Sequence, residues 1–167
     1  MSPDRSELLV HLPGLRRYAR LLTGAAFLAD DLVQDTVERA WRSGHLWPEA
    51  ARLRPWLLSI MHNLFVSQVR ARREYADVDL EQLAGPGDEA ARSQIRLDLA
   101  GALQRLAPAH REVLLLVCVE ECSYEEAAQV LGVPTGTVMS RLSRARAQLR
   151  ADMEGTAESK PALRRIK

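Results

Sequence analysis

The segment of residues 123–146 constrains this chain most, because it encodes two short helices joined by a tight turn. Ser123 and Glu126 have the spacing of a capping box, in which each side chain bonds the backbone N–H of the other residue. Gly132 suits the left-handed residue that ends a helix, and Pro134 blocks its continuation. The order of these signals predicts a helix-turn-helix.

The second helix of this segment combines an apolar stripe with a polar, basic face. Thr135 or Thr137 is placed to cap its start. At about 100° per residue, its apolar residues fall on one narrow stripe, made of Val138, Leu142, Ala145 and Leu149. On or beside the remaining surface lie the candidates for DNA contact, which are Thr137, Met139, Ser140, Arg141, Ser143, Arg144 and Arg146.

Residues of these types suit the surface of duplex DNA. Small hydroxyls and an arginine can approach base edges in the major groove, while flanking arginines reach phosphates. In a helix-turn-helix, the second helix lies in that groove. An ordinary amphipathic helix with a solvated basic face would have a similar composition, so the segment favours DNA binding without establishing it.

The net charge of +1 hides a strong segregation of charge along the chain. Residues 56–73 include arginines and no acid, and residues 134–151 include four arginines and no acid. Between them, residues 74–91 hold six acidic side chains and no basic one. Two basic segments separated by an acidic connector indicate two nucleic-acid contacts.

The periodicity of apolar residues is helical along most of the chain and predicts an all-α fold of two small domains joined by a flexible acidic linker. We expect a first helix over residues 8–22, a second from Asp30 or Asp31, and a third that begins at Pro55 and ends near Arg73. The predicted units are a domain over residues 8–75, a linker over 76–94, a domain over 95–152 and a flexible tail over 153–167.

Several classes of protein are disfavoured by the sequence. Cys118 and Cys122 lie four residues apart on one expected helix without a second ligand pair, so we expect free core thiols in a reducing cytoplasm, with no metal and no cofactor. No Walker loop or nucleophile constellation points to an enzyme. Apolar runs such as residues 113–119 are too short to span a bilayer, so no membrane insertion is expected.

Four segments, in the expected order, resemble the extracytoplasmic-function (ECF) sigma factors of the sigma-70 family. Residues 31–41 resemble the polymerase-binding helix of that family, and residues 54–73 resemble its promoter-melting helix. Residues 106–116 resemble the start of its C-terminal domain, and residues 123–146 resemble its helix-turn-helix. The resemblance implies a protein that binds core RNA polymerase and directs it to particular promoters, reading the −35 element as duplex.

The resemblance also implies roles for the other two polar surfaces. The polar face of the second helix would dock on the polymerase clamp, through Asp31, Gln34, Asp35, Glu38 and Arg39. The third helix would capture bases of the melted −10 element and hold its phosphates, through Asn63, Ser67, Arg70, Arg72 and Arg73. Trp56 is expected to pack in the core.

Three positions depart from the pattern of many relatives. Ser67 stands where many carry an acid, and Met139 and Ser143 resemble the subset that serves general stress responses. The family resemblance further implies an anti-sigma factor as a partner and a cytoplasmic location, at the nucleoid when in holoenzyme. The competing hypothesis is a dimeric helix-turn-helix regulator that binds palindromic half-sites without core polymerase.

Overall fold

The computed structural model describes residues 4–74 and 92–158, and the regular elements in these two ranges are all helical. This confirms the predicted all-α class. We call residues 4–74 the N-terminal half and residues 92–158 the C-terminal half. The N-terminal half contains α1 (Arg5–Thr23), α2 (Ala26–Arg42), a 3-10 turn (Gly44–Leu46) and α3 (Ala50–Glu74). The C-terminal half contains α4 (Arg92–Arg105), α5 (Pro108–Cys118), α6 (Tyr124–Leu131) and α7 (Thr135–Glu158).

The predicted start of the second helix is wrong by several residues. Gly24 ends α1 with a left-handed φ of 75°, and its N–H bonds the carbonyl of Arg20. The chain enters α2 at Ala26, well before Asp30, with no side-chain cap. The residues just after Ala25 include alanine and leucine, which favour helical backbone. The helix therefore begins before Asp30 and Asp31, which were expected to start it.

The predicted start of the third helix at Pro55 is also wrong. α3 begins at Ala50, which makes Pro55 an interior residue of the helix. Proline lacks the N–H that would bond the carbonyl of Ala51. Ala51 is exposed, so water can satisfy that carbonyl, and the alanines that open the helix favour helical backbone.

Most of the predicted linker, residues 76–94, and residues 159–167 of the predicted tail lie outside the described residues. α4 begins at Arg92, within the predicted linker, and α7 continues to Glu158, within the predicted tail. The flanking alanine, methionine and glutamate residues favour helix strongly enough to carry α7 through Gly155. The boundaries of the two domains stay a prediction.

Each half has apolar residues packed between its own helices. In the N-terminal half, α2 packs against α1 and α3, and Leu32, Leu57 and Met61 are fully buried. Trp56 packs against this core as expected, and its ring centroid lies 5.6 Å from that of Trp47. In the C-terminal half, α5 and α6 pack against α7, which buries Val113, Leu116, Val138 and Leu142.

The two halves also pack directly against each other. α1 contacts α4 and α5, and α3 contacts α6. The side chain of Gln104 donates to the carbonyl of Leu21 at 3.1 Å, and Arg111 donates to the carbonyl of Leu22 at 2.8 Å. Carbonyls in the last turn of a helix lack intrahelical partners. The C-terminal half therefore supplies the donors that complete the end of α1.

The prediction that both cysteines are core thiols on one helix is half wrong. Cys118 is the last residue of α5 and is exposed, whereas Cys122 is buried. The chain leaves the helix between them, through Glu121 with a φ of 54°. Burial raises the pKa of the Cys122 thiol to about 11.

The exposure of Cys118 and the raised pKa of the buried Cys122 thiol predict different reactivity at the two sites. At pH 8 about one Cys122 thiol in a thousand is ionised, and the thiolate is the reactive form. Iodoacetamide should therefore modify Cys118 in the native protein and leave Cys122 unmodified, whereas both should react in urea. Peptide mass spectrometry reads the two sites separately. Equal labelling of both in the native protein would contradict the burial of Cys122.

Candidate nucleic-acid interface

The turn of the helix-turn-helix forms as its sequence predicts. The N–H of Glu126 donates to the Ser123 hydroxyl at 3.1 Å, and the Glu126 carboxylate accepts the N–H of Ser123 at 2.9 Å. Gly132 ends α6 with a φ of 65°, in the left-handed region. These contacts confirm the predicted capping box and the role of the glycine.

The predicted cap of the second helix is wrong. α7 begins at Thr135 itself, and Thr137 lies within the first turn. The carbonyl of Pro134 accepts the N–H of Thr137 at 3.0 Å and that of Val138 at 3.2 Å. Pro134 therefore occupies the N-cap position, and its carbonyl satisfies the N–H of Thr137, one of the first-turn donors that a side-chain cap would otherwise accept.

The exposed surface of α7 carries most of the residues predicted to contact DNA. Two of these residues are half-buried, Thr137 and Arg141. The others are exposed, namely Met139, Ser140, Ser143, Arg144 and Arg146. The apolar stripe faces inward, with Leu149 partly buried at its end. The orientation of the helix thus leaves a continuous polar and basic surface facing solvent.

Two of the arginines on α7 interact with neighbouring groups. The guanidinium of Arg146 lies 3.7 Å from the Cys118 sulfur, and this contact raises the pKa of Arg146. Arg141 lies near enough to Glu112 on α5 to lower the pKa of that carboxyl. Arg144 is exposed and has neither of these contacts. Of Arg141, Arg144 and Arg146, it is therefore the best suited to contact a base edge.

The polar face predicted for α3 is present on one side of that helix. Asn63, Ser67 and Arg70 are exposed, and the Ser67 hydroxyl donates to the Asn63 carbonyl one turn earlier, at 3.0 Å. Arg73 is exposed and Arg72 is half-buried. Asn63, Ser67 and Arg70 thus share one face of α3, whereas Arg72, nine residues after Asn63, lies on the opposite side at about 100° per residue.

The polar face predicted for α2 is also exposed. Asp31, Gln34, Glu38 and Arg39 are open to solvent, and Asp35 is half-buried. Burial, followed by the charges of Asp31 and Glu38, raises the pKa of Asp35. Glu38 pairs with Arg42 one turn later, at 2.5 Å.

A groove between α1 and α2 runs along this face and was not predicted. Trp41 of α2 is 44% exposed at the edge of the groove, where the guanidinium of Arg5 lies 5.1 Å from its ring centroid. The groove has a volume of about 970 Å³ and an apolar floor that includes Leu12 and Val37. Its walls come from two helices, so the periodicity of one helix could not reveal it.

Sequence reasoning also missed a set of ion pairs between the halves. His62, next to the predicted base-binding Asn63, lies 2.6 Å from the buried carboxylate of Glu112. Arg54 lies 2.6 Å from the buried carboxylate of Glu120. Burial raises the pKa of Glu112, and the hydrogen bond and charge of His62 lower it in part. No spacing in the sequence links residues so far apart.

In residues 4–74 and 92–158, no cluster of three or more histidine, cysteine or acidic residues is arranged to hold a metal ion. Within the same ranges, no helix has the length and apolar character needed to cross a bilayer.

The fold and these surfaces define a helical DNA-binding protein with a helix-turn-helix in its C-terminal half. A family model described as the sigma2 domain of PhyR matches residues 8–62, and the model for region 4 of sigma-70 matches residues 96–149. The chain is 38% identical to the ECF RNA polymerase sigma factor EcfG of Rhodopseudomonas palustris, across 88% of this chain and 83% of that protein. It is 33% identical to SigL of Mycobacterium tuberculosis, across 86% of this chain and 85% of SigL. The chain belongs to the ECF sigma factors of the sigma-70 family.

Solved structures of similar sequence agree with this membership. The sigma factor RpoE of Bartonella quintana, crystallised with the anti-sigma factor NepR, superposes with a TM-score of 0.76 at 36% identity. That match covers 90% of this chain and 96% of RpoE. CnrH, in complex with the cytosolic domain of CnrY, matches with a TM-score of 0.64 at 29% identity, over 89% of this chain and 85% of CnrH.

The turn of the helix-turn-helix gives a paired test of backbone conformation. Gly132→Ala places a side chain at φ 65° with open space around it, so strain alone should lower the free energy of unfolding, by about 1 kcal/mol. Gly136→Ala lies inside α7, also in open space, and should raise that free energy by up to about 1 kcal/mol. Urea unfolding measures both; equal effects would contradict the left-handed turn.

Proposed function

We propose that this ECF sigma factor binds core RNA polymerase through α2 and grips promoter DNA at two points, through α3 and α7, in the cytoplasm. The observation that carries the proposal is that one chain exposes three separate polar surfaces on these helices. A regulator that binds only duplex DNA needs one such surface. The basic surface on α3 would have no role in such a regulator. It has a role in a protein that also binds a melted DNA strand.

The surface of α7 supports recognition of the −35 element as duplex. The helix follows a tight turn, as in other helix-turn-helix proteins whose second helix enters the major groove. Arg144 is exposed and suited to bidentate bonds with guanine, and the small side chains of Ser140 and Ser143 permit close approach. Arg141 and Arg146 flank them and are assigned to phosphates.

The end of α3 supports capture of the melted −10 element. Extruding a base from duplex costs a few kcal/mol, so the protein must supply bonds to the base that form only after extrusion. The Asn63 amide and Ser67 hydroxyl share one exposed face and are assigned to the edges of such a base. Arg70, Arg72 and Arg73 are assigned to the phosphates of the strand.

The exposed face of α2 supports docking on polymerase. Asp31, Gln34, Asp35, Glu38 and Arg39 share this face, and the groove beside it offers an apolar floor. A polar rim around an apolar centre is the usual composition of a specific protein interface. We assign these five residues to the polymerase clamp.

We further infer a regulatory partner and a stress-related role. RpoE and CnrH were each solved with a partner, NepR and CnrY respectively, and NepR is described as an anti-sigma factor. By this likeness, an anti-sigma factor is proposed as a partner of this chain. Met139 and Ser143, which resemble the family subset that serves general stress responses, support a regulon of that kind.

A second candidate function has some support from PhyR. The sigma2 model that matches residues 8–62 is named after PhyR, and the PhyRSL–NepR complex of Sphingomonas matches with a TM-score of 0.63 at 29% identity. That likeness would fit a protein that takes up an anti-sigma factor and does not direct transcription. Reconstituted transcription separates the two functions.

The test is run-off transcription from fragments of the source genome with purified core polymerase. Adding the chain should yield defined transcripts whose upstream regions share two elements, and none should form without it. A chain that binds duplex DNA as a dimer but never joins core polymerase would support the helix-turn-helix regulator instead. Failure to bind core polymerase, combined with tight binding to an anti-sigma factor, would support the PhyR-like function.

Two arginine variants should separate base contact from phosphate contact. Arg144→Ala should weaken binding to the cognate −35 element by about 1–3 kcal/mol and relax the preference at one position. Arg72→Ala should weaken holoenzyme binding on every promoter and make the affinity less sensitive to salt. Competition binding with single-base promoter variants at several salt concentrations measures both. If Arg144→Ala left promoter choice unchanged, its assignment to a base would be wrong.

A further inference from the structure

Acidic side chains of the C-terminal half are buried against basic side chains of the N-terminal half. The side chain of Glu120 is 3% exposed; its carboxylate lies 2.6 Å from Arg54 on α3 and 3.6 Å from Arg17 on α1. The side chain of Glu112 is 4% exposed and lies 2.6 Å from His62 on α3. Two acids from one half are thus covered by three basic groups from the other.

These pairs add a charge-dependent part to the contact between the halves, which also includes the bonds of Gln104 and Arg111 to the end of α1. A carboxylate that is buried without a partner is strongly unfavourable, because it loses its hydration and gains nothing in return. Burial of the charged Glu112 and Glu120 in the closed arrangement is therefore less costly while His62 and Arg54 face them. Replacing a basic partner by an acid would favour separation, since both carboxylates could then return to water.

The closed arrangement conflicts with contact at two promoter elements at once. Elements centred near −10 and −35 lie about 25 base pairs apart, or on the order of 80 Å at about 3.4 Å per base pair. A compact chain of this length has a radius of gyration of about 15 Å, and hence a diameter of about 40 Å. While the halves are in contact, α3 and α7 cannot reach both elements of straight duplex DNA.

The acids also lie close to the proposed DNA-binding surfaces. His62, the partner of Glu112, precedes Asn63 on α3. From the other side, Arg141 of α7 lies near enough to lower the pKa of Glu112. One buried carboxylate therefore attracts basic groups from both helices that are assigned to DNA.

We propose that Glu112 and Glu120, with His62, Arg54 and Arg17, form an autoinhibitory latch that keeps the chain closed when polymerase is absent. This inference rests on the proposed function, because the conflict arises only for a protein that contacts two promoter elements. The latch residues lie outside the sets assigned to promoter DNA and polymerase. The latch must open before both elements are bound.

Small-angle X-ray scattering on the full chain without polymerase tests the latch. The wild-type radius of gyration should lie near the value of about 15 Å for a compact chain, and Arg54→Glu should raise it to about 20 Å or more. Arg52→Glu is the matched control, with the same change of charge on the same helix. The Arg52 side chain is exposed and has no ion pair in the described part of the chain.

A reciprocal variant tests the specific pair. Arg54→Glu combined with Glu120→Arg restores opposite charges and should return the radius to the wild-type value. Helical circular dichroism confirms that each variant is folded. If Arg54→Glu unfolds, Arg17→Ala replaces it, because Arg17 is 60% exposed and its removal should still enlarge the radius.

Three results would overturn the latch. The first is a wild-type radius of gyration well above that of a compact chain. The second is that Arg54→Glu and Arg17→Ala are both helical and keep the wild-type radius. The third is that the reciprocal variant keeps the enlarged radius. Stopped-flow binding to core polymerase adds a functional measurement. The association rate should rise in Arg54→Glu, because a larger fraction of the molecules is open and competent to bind. It should return to the wild-type value in the reciprocal variant. If no form binds polymerase, the proposed function fails, while the scattering results still decide the latch.

Discussion

The rest of the structure depends on the buried guanidinium of Arg111. It donates to the carbonyls of Leu103, Gln104 and Leu106 at the end of α4, and to that of Leu22 at the end of α1. Burial lowers its pKa, yet four charge-assisted bonds keep the group satisfied. One side chain thus fixes where α4 stops and completes the end of α1. This contact holds the C-terminal half against the N-terminal half, together with the bond from Gln104 to Leu21 and the pairs of Glu112 and Glu120.

Around that junction, the functional surfaces all face outward. The polar face of α2, the end of α3 and the exposed side of α7 are open to solvent, while the apolar sides of the same helices form the cores. Each helix therefore serves packing and recognition with opposite faces. Glu112 and Glu120 contact His62 and Arg54 across the junction, close to these surfaces. Under the proposed latch, the junction therefore controls which DNA elements the surfaces can reach.

Local sequence signals predicted those features whose cause is local. The capping box of Ser123 and Glu126, the left-handed Gly132 and the inward stripe of α7 depend on residues a few positions apart, and all are present. Helix starts were predicted less well, since Pro55 is tolerated inside α3. The contacts of His62 with Glu112 and of Arg54 with Glu120 join residues 50 and 66 positions apart, which only the packing of the halves brings together.

The separation of Glu112 and Glu120 from the proposed base-reading residues has a consequence for how such a protein diversifies. If both proposals hold, substitutions at the junction alter how readily the chain binds polymerase, whereas substitutions on α7 alter which promoters it recognises. Sensitivity and target choice are thus encoded by different side chains. A duplicated copy can then acquire new target genes while it keeps the same ease of engagement by polymerase. It can equally change that ease of engagement while it keeps its target genes.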